Sequence, residues 1–120
     1  MARMILLTVV ALFLGLGPGS GSQAVLAAGG DVAKGKALYE GRGGCVNCHG
    51  AAGRGDGPAG KMLNPPPADF TNQKSKAKKD AELLKTIQDG RTGTAMAAFK
   101  GQLSEQEIRD LLAYVRSLSK

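Results

Sequence analysis

The sequence is poor in the side chains that small domains usually rely on for cores and metal sites. Its 120 residues include no tryptophan, three phenylalanines, two tyrosines, two cysteines and one histidine. No stretch alternates apolar and polar residues as a half-buried strand does. The absence of strand patterns predicts an all-α fold, and the scarcity of cysteine and histidine leaves few positions that can bind a metal.

Both cysteines and the histidine fall in one segment, Cys45-Val46-Asn47-Cys48-His49. A structural zinc site needs four ligands, and this cluster offers three. A thioredoxin-like pair belongs to a βαβ setting, which the chain lacks. A disulfide across two residues would close a tiny loop and constrain almost nothing. The spacing is typical of a c-type haem attachment site, with Cys45 and Cys48 joined to the vinyl groups and His49 as an axial iron ligand.

Residues 1–27 have the layout of a secretory signal. Arg3 supplies a positive charge, and an apolar run of about 13 residues, too short to span a bilayer, follows over residues 4–16. Glycines and a proline over residues 15–19 then break any helix. The segment predicts export to the periplasm and a protein that does not span the membrane after cleavage, with a retained N-terminal anchor as the alternative.

Cleavage is predicted after Ala27, with a second candidate after Ala24, which leaves a domain of residues 28–120. A domain this small has a marginal core unless a cofactor fills it. The net charge of +6 falls to +5 without Arg3, the only charged residue of the signal segment. A mildly basic surface suits acidic protein partners. Nucleic acid is not expected as a partner, because the basic stretch has no interleaved aromatic residues.

Three main helices are predicted from apolar periodicity, over residues 31–40, 80–88 and 104–118. Gly35 in the first helix suggests close approach of another helix, and Tyr114 in the last is placed to pack against it. The predicted N-terminal caps are Asp31, Asp80 and a capping box of Ser104 and Glu107, and the predicted hydrophobic staple is Leu103 with Ile108.

Long loops rich in glycine and proline occupy residues 50–70, and we expect them to wrap the edge of the haem. A proline carbonyl in this region is expected to accept the free N–H of His49 and to fix its tautomer. Pro58 is the first candidate for that carbonyl, and Pro65–Pro67 remain open.

Two methionines outside the signal segment are candidates for the second axial ligand. Met62 lies only 13 residues after His49, in the segment expected to wrap the near face of the haem. Met96 lies 47 residues after His49, on a loop between two predicted helices, and has room to cover the other face. Met96 is therefore the predicted ligand, with Met62 or an open iron site as the alternatives.

A short basic run precedes the second main helix, and its lysines are Lys74, Lys76, Lys78 and Lys79. The run has two interpretations. It is either a solvated face or a docking surface for an acidic redox partner.

Taken together, these motifs resemble class I cytochrome c, in particular the small exported bacterial type with one haem. The match rests on the helix 31–39, the haem motif 45–50, Gly93-Thr94-Ala95-Met96 and the last helix. The remaining matching segments are Gly55-Asp56-Gly57-Pro58 and Asn64-Pro65-Pro66-Pro67-Ala68-Asp69-Phe70.

The resemblance implies the cytochrome c fold, three main helices and long loops around one covalent haem c. It implies an electron carrier rather than an enzyme, with transfer at the haem edge near Cys45 and Cys48. The family commonly has a proline after the ligand methionine, and Ala97 takes that place here, so Met96 is expected to be more easily displaced.

Two alternative functions remain open. One is a cytochrome subunit of a periplasmic dehydrogenase or oxidase complex. The other is a haem enzyme or gas sensor with a displaceable Met96, which is disfavoured because no distal His or Arg pair is evident.

Overall fold

A computed structural model describes residues 26–27 and 29–119, and within them five helices and one small strand pair form the fold. The predicted signal segment lies outside the described residues except for Leu26–Ala27. The elements are β1 (Leu26–Ala27), β2 (Gly30–Asp31), α1 (Val32–Glu40), α2 (Val46–His49), a 3₁₀ turn (Gly60–Met62), α3 (Gln73–Lys76), α4 (Asp80–Asp89) and α5 (Glu105–Ser117). The predicted all-α class and the three main helices, α1, α4 and α5, are confirmed.

The strand pair β1–β2 was not expected from the sequence. It is antiparallel, with Leu26 opposite Asp31 and Ala27 opposite Gly30. Two residues per strand are too few to produce an alternating pattern, so the sequence carries no signal for it. The pair leads directly into α1, whose N-cap Asp31 accepts a hydrogen bond from the backbone of Lys34, as predicted.

Helices α1 and α5 cross in close contact at Gly35. A Cβ at this position would overlap the carbonyl oxygen of Asp110 and lie 2.9 Å from Cβ of Tyr114. The ring of Tyr114 also packs edge-to-face on that of Tyr39, with centroids 5.1 Å apart. The predicted contact between Gly35 and Tyr114 is confirmed, and it explains a glycine that costs a helix interior about 1 kcal/mol relative to alanine.

Helix α5 begins with the predicted capping box. The hydroxyl of Ser104 accepts the backbone N–H of Glu107 at 3.1 Å, and the Glu107 carboxylate accepts the backbone N–H of Ser104 at 2.8 Å. Leu103 and Ile108 are both buried in one cluster, as a hydrophobic staple requires. The other buried apolar residues of this core include Tyr39, Leu111, Tyr114 and Val115.

The N-cap of helix α4 lies one residue earlier than predicted. Lys79, not Asp80, occupies the N-cap position, and its backbone N–H donates to the Glu82 carboxylate at 3.2 Å. The Asp80 carboxylate instead accepts from Nε of Arg116 in α5, at 2.7 Å. The prediction of Asp80 as the cap is wrong, because an ion pair to a distant helix takes the side chain that would have capped its own helix.

Part of the predicted basic run folds into α3. Asn72 caps this helix by accepting the backbone N–H of Ser75 at 2.9 Å. Four helical residues are too few to show apolar periodicity, so only a pattern of charge is visible at this position in the sequence. Across the described residues, no helix combines the length and the apolar character that crossing a membrane requires.

Candidate haem site

The haem motif forms the single turn α2, whose free carbonyls are satisfied by the loop that follows it. The carbonyls of Asn47, Cys48 and His49 accept the backbone N–H groups of Ala59, Gly57 and Gly55 at 2.9, 3.0 and 2.8 Å. Gly57 is required for this contact, because a Cβ there would overlap the Asn47 carbonyl. The loop therefore closes back on the motif and fixes its backbone.

The four predicted site residues line one cavity of about 570 Å³. Cys45, Cys48 and His49 come from α2 and the residue before it, and Met96 comes from the loop after α4. The volume lies within the range of roughly 300–1,000 Å³ that is usual for cofactor and ligand pockets. Apolar side chains from the two longest helices form much of the wall: Leu83, Ile87, Leu111 and Val115.

His49 is held on two sides by the residues after the prolines. Its Nδ1 donates to the backbone carbonyl of Ala68 at 3.0 Å. Its ring stacks on Phe70, with centroids 4.5 Å apart and an angle of 22° between the planes. Burial lowers the pKa of His49, against a smaller opposing effect of the Ala68 carbonyl. The imidazole is therefore neutral at neutral pH, and Nε2 is the nitrogen left to bind a metal.

The predicted proline acceptor for His49 is wrong. Neither Pro58 nor Pro65–Pro67 supplies the carbonyl, which belongs to Ala68, the residue directly after the prolines. Pro58 lies on the loop that caps α2, where the neighbouring Gly57 and Ala59 bond to the motif backbone. The prolines keep the chain extended up to Ala68, so the register of that extended segment decides which carbonyl reaches the imidazole.

The two cysteines are partly buried and form no disulfide. Burial raises the pKa of the Cys45 thiol to about 11, and the proximity of Cys48 acts in the same direction. A neutral sulfur on the wall of an apolar cavity is compatible with thioether formation, which removes the ionisable proton.

The loop that carries Met96 is closed by hydrogen bonds on both sides of the residue. The backbone N–H of Arg91 donates to the Met96 carbonyl at 3.2 Å, and the Met96 N–H donates to the Thr94 hydroxyl at 3.2 Å. Met62, by contrast, is 93 % exposed and does not line the cavity. The structure thus brings Met96, and not Met62, together with His49.

Three contributors to the site were not predicted from the sequence. They are the carbonyl of Ala68, the ring of Phe70 and the hydroxyl of Tyr39, which donates to the Gly50 carbonyl at 2.7 Å. Each of these contacts joins segments that are distant in the chain, so no local pattern reports them.

These residues fit a covalently attached haem. The cavity offers two thiols at the attachment spacing, a neutral imidazole with one free nitrogen, and a thioether, all within apolar walls. The described residues contain no cluster of three or more His, Cys, Asp or Glu side chains of the kind that binds an isolated metal ion. The donor set therefore suits an iron already held by a porphyrin better than a free ion.

The family model for cytochrome c matches residues 32–119. The chain belongs to the cytochrome c family. The cysteines of this cytochrome fit the CXXCH motif, and it carries a covalently bound haem c. No curated protein sequence matches it.

Three solved structures are similar to this cytochrome. The first is a protein of the Kuenenia stuttgartiensis reducing HAO-like protein complex Kustc0457/Kustc0458, at 34% identity and a TM-score of 0.67. That match covers 74% of this chain but 44% of the other, so this chain spans less than half of its length. The second is the KustC0563 c-type cytochrome, at 25% identity and a TM-score of 0.60, covering 72% of this chain and 98% of the other. The third is cytochrome c6 from the diatom Phaeodactylum tricornutum, at 25% identity and a TM-score of 0.54, covering 75% of this chain and 95% of the other.

Proposed function

We propose that this cytochrome is a periplasmic one-electron carrier with His49 and Met96 as the axial ligands of its haem iron. In this proposal Cys45 and Cys48 form the two thioether bonds to the porphyrin. The main support is that these four side chains line one cavity, whereas Met62, the competing thioether, is 93 % exposed. Haem c, once attached, supplies the one-electron iron couple.

The chain contributes binding, orientation and a dry environment. His49 is neutral because burial lowers its pKa, and its hydrogen bond to Ala68 fixes the tautomer that leaves Nε2 as the ligand. Met96 supplies a thioether, a ligand that raises the reduction potential. With His49 and Met96 both bound to the iron, no position would remain for a substrate, which supports a carrier rather than an enzyme.

The lysine segment, defined as Lys74, Lys76, Lys78 and Lys79, is the proposed docking surface for an acidic redox partner. None of the four side chains forms an ion pair with any described residue. Lys74 and Lys78 also line the cavity. Unpaired positive charge beside the cofactor steers an acidic partner to the place where electrons leave.

We also propose export, with removal of residues 1–27 and one cytochrome c domain over residues 28–120. Cleavage after Ala27 would remove β1, whereas cleavage after Ala24 would keep it. The intact mass of the protein purified from the periplasm should correspond to a chain that begins at Ala28. A chain that retains residues 1–27 would instead support a membrane anchor.

Ligand exclusion tests the proposed function most simply. The purified haem protein should titrate as a single one-electron couple, and carbon monoxide should bind the ferrous form only slowly, because Met96 would first have to leave the iron. Rapid binding of carbon monoxide by the wild type would show an open iron site, which would favour an enzyme or gas sensor.

A second candidate function is a cytochrome subunit of a larger redox complex. The observation in its favour is the similarity to a protein of a reducing HAO-like complex, of which this chain covers 44%. Size-exclusion chromatography of a native extract, monitored at the haem absorption band, separates the two candidates. Elution at the monomer position supports the free carrier, and elution with a larger enzyme supports the subunit.

A further inference from the structure

The segment Ala68-Asp69-Phe70, which we call the proximal strip, holds His49 through its first and last residues. The carbonyl of Ala68 accepts the His49 Nδ1–H, and the ring of Phe70 stacks on the imidazole. The two contacts fix different properties, because the hydrogen bond sets the tautomer and the stack sets the plane of the ring. The position of the strip therefore determines the geometry of His49.

The proximal strip is itself held by hydrogen bonds from three directions. The hydroxyl of Ser75 donates to the Asp69 carbonyl at 2.5 Å. The hydroxyl of Ser119 donates to the Phe70 carbonyl at 2.5 Å, and the Phe70 N–H donates to the Gly53 carbonyl at 2.7 Å. Ser75 and Gly53 both bond the peptide group between Asp69 and Phe70, which is the next one along from the Ala68 carbonyl.

Ser75 is unusual in its own setting. It lies on the short helix α3 and is 7% exposed, one of two buried polar residues in the described part of the chain. Serine on a helix usually bonds its own helix backbone or faces water. Here the hydroxyl bonds a carbonyl six residues earlier, outside the helix. A buried hydroxyl directed at another segment indicates a role in joining the two.

The backbone of Ser75 is fixed at both ends. Its N–H donates to the Asn72 side chain at 2.9 Å, and its carbonyl accepts from the Arg116 guanidinium at 3.2 Å. Arg116 also donates to the Lys78 carbonyl and pairs with Asp80. Ser75 is thereby anchored to α5, the best-packed helix, and a continuous hydrogen-bonded path leads from α5 through Ser75 to the proximal strip.

From this arrangement we infer that Ser75 is a positioning residue for His49. Its hydroxyl keeps the proximal strip in the register at which the Ala68 carbonyl accepts the imidazole N–H. The inference rests on the proposed role of His49 as an iron ligand. An acceptor at Nδ1 makes the imidazole a stronger electron donor, which favours the oxidised iron. Ser75 should therefore lower the reduction potential; because it also lines the cavity, the test follows the His49 N–H as well as the potential.

The test compares Ser75→Ala with Ser117→Ala in the haem-loaded protein. Ser117 is a matched control, because its hydroxyl also donates to a backbone carbonyl at 2.5 Å, but to Tyr114 within α5. Ser75→Ala should raise the reduction potential. It should also speed solvent exchange of the His49 Nδ1–H by roughly fivefold or more, as measured by NMR in the ferrous state. Ser117→Ala should change neither quantity. Ser75→Thr, which keeps the hydroxyl, should leave both at their wild-type values.

A purely structural role for Ser75 would lower the unfolding temperature of Ser75→Ala and leave its potential and its His49 exchange at the wild-type values. That result would overturn the inference while leaving the proposed function intact. Should Ser75→Ala fail to fold, Ser119→Ala releases the other strip carbonyl and should move both readouts in the same direction, and no movement would equally overturn the inference. Failure of the proposed function would be visible elsewhere, as a wild type without the spectrum of a His/Met haem.

Discussion

Two backbone carbonyls beside His49 accept hydrogen bonds from side chains that are buried or half-buried. The Tyr39 hydroxyl donates to the Gly50 carbonyl, directly after His49, and His49 itself donates to Ala68. Burial raises the pKa of Tyr39, so its hydroxyl remains a donor at all physiological pH values. Loss of such a donor leaves a buried carbonyl unpaired, which costs more than the hydrogen bond alone contributes.

At the residue scale we predict that Tyr39→Phe is more harmful than Tyr114→Phe. The two tyrosines pack on one another and are both buried, but within the described residues only the Tyr39 hydroxyl donates a hydrogen bond. Tyr39→Phe should lower the free energy of unfolding by about 1–3 kcal/mol, and Tyr114→Phe by less than about 0.5 kcal/mol. Urea unfolding of the haem-loaded variants measures both values. Equal losses of unfolding free energy in the two variants would show that the hydrogen bond from Tyr39 to the Gly50 carbonyl does not stabilise the fold.

The residues of the site differ in how far the sequence could predict them. Cys45, Cys48 and His49 follow from a local spacing, because attachment chemistry requires it. The Ala68 carbonyl does not, since any residue from Pro65 onward supplies a similar acceptor and only the folded path of the loop selects one. The same applies to Phe70, whose stacking on His49 depends on a contact across 21 residues.

Among the elements, helix α5 contacts the rest of the fold both through its own N-terminal turn and along its apolar face. Glu107 closes the capping box with Ser104 and also pairs with Arg42 at 2.5 Å. Arg42 belongs to the glycine-rich segment that leads from α1 into the haem motif. One carboxylate thus links the start of the last helix to the approach of the site.

At the element scale we predict a pH-dependent contribution of Glu107 to stability. Its hydrogen bond with the Ser104 backbone, together with Arg42, holds the Glu107 pKa below its ordinary value of 4.5. A lowered pKa in the folded state stabilises the protein above pH 4.5, and the contribution disappears as the pH falls through the folded-state pKa. Glu107→Gln should therefore unfold at a lower temperature than the wild type at pH 7, with the difference shrinking towards pH 3.

Glu105→Gln is the matched control for this prediction. Glu105 lies in the same first turn of α5 but makes no side-chain hydrogen bond or ion pair within the described residues. Thermal unfolding followed by circular dichroism should show a smaller, less pH-dependent effect for it. A Glu107→Gln difference that stays constant from pH 7 to pH 3 would contradict the assignment.

Prediction of the elements succeeded where caps and apolar periodicity agree. For α1 and α5, the predicted N-terminal cap and the apolar face indicate the same helix. For α4 the cap was placed at Asp80, because sequence alone does not show that Arg116 claims this carboxylate. The strand pair and α3 are too short for any periodic signal.

At the scale of the whole molecule, the unpaired positive charge of the lysine segment lies beside the cavity for the cofactor. The acidic residues Glu40, Asp80, Asp89 and Glu107 are occupied by ion pairs with basic partners. The lysine segment has no such partners within the described chain, so its positive field is not compensated locally. This asymmetry, rather than the overall net charge, is what should guide a redox partner.

We predict that the lysine segment steers charged reactants towards the haem. Lys76→Gln with Lys79→Gln should slow reduction of the anion ferricyanide by about twofold or more at low ionic strength, and should speed reduction of a cationic cobalt(III) complex. The double variant Lys34→Gln with Lys100→Gln removes the same charge from exposed positions that do not line the cavity. Stopped-flow rates that change equally in both double variants would rule out a local steering surface.

The most direct test of the central claim, a haem closed by His49 and Met96, is the absorption spectrum of Met96→Ala beside that of Met62→Ala. Met96→Ala should lose the methionine–iron charge-transfer band of the ferric protein, show high-spin features and have a lower reduction potential, because a thioether ligand raises it. Met62→Ala should keep the wild-type spectrum, since that side chain is 93 % exposed. Survival of the band in Met96→Ala, or its loss in Met62→Ala, would contradict the assignment.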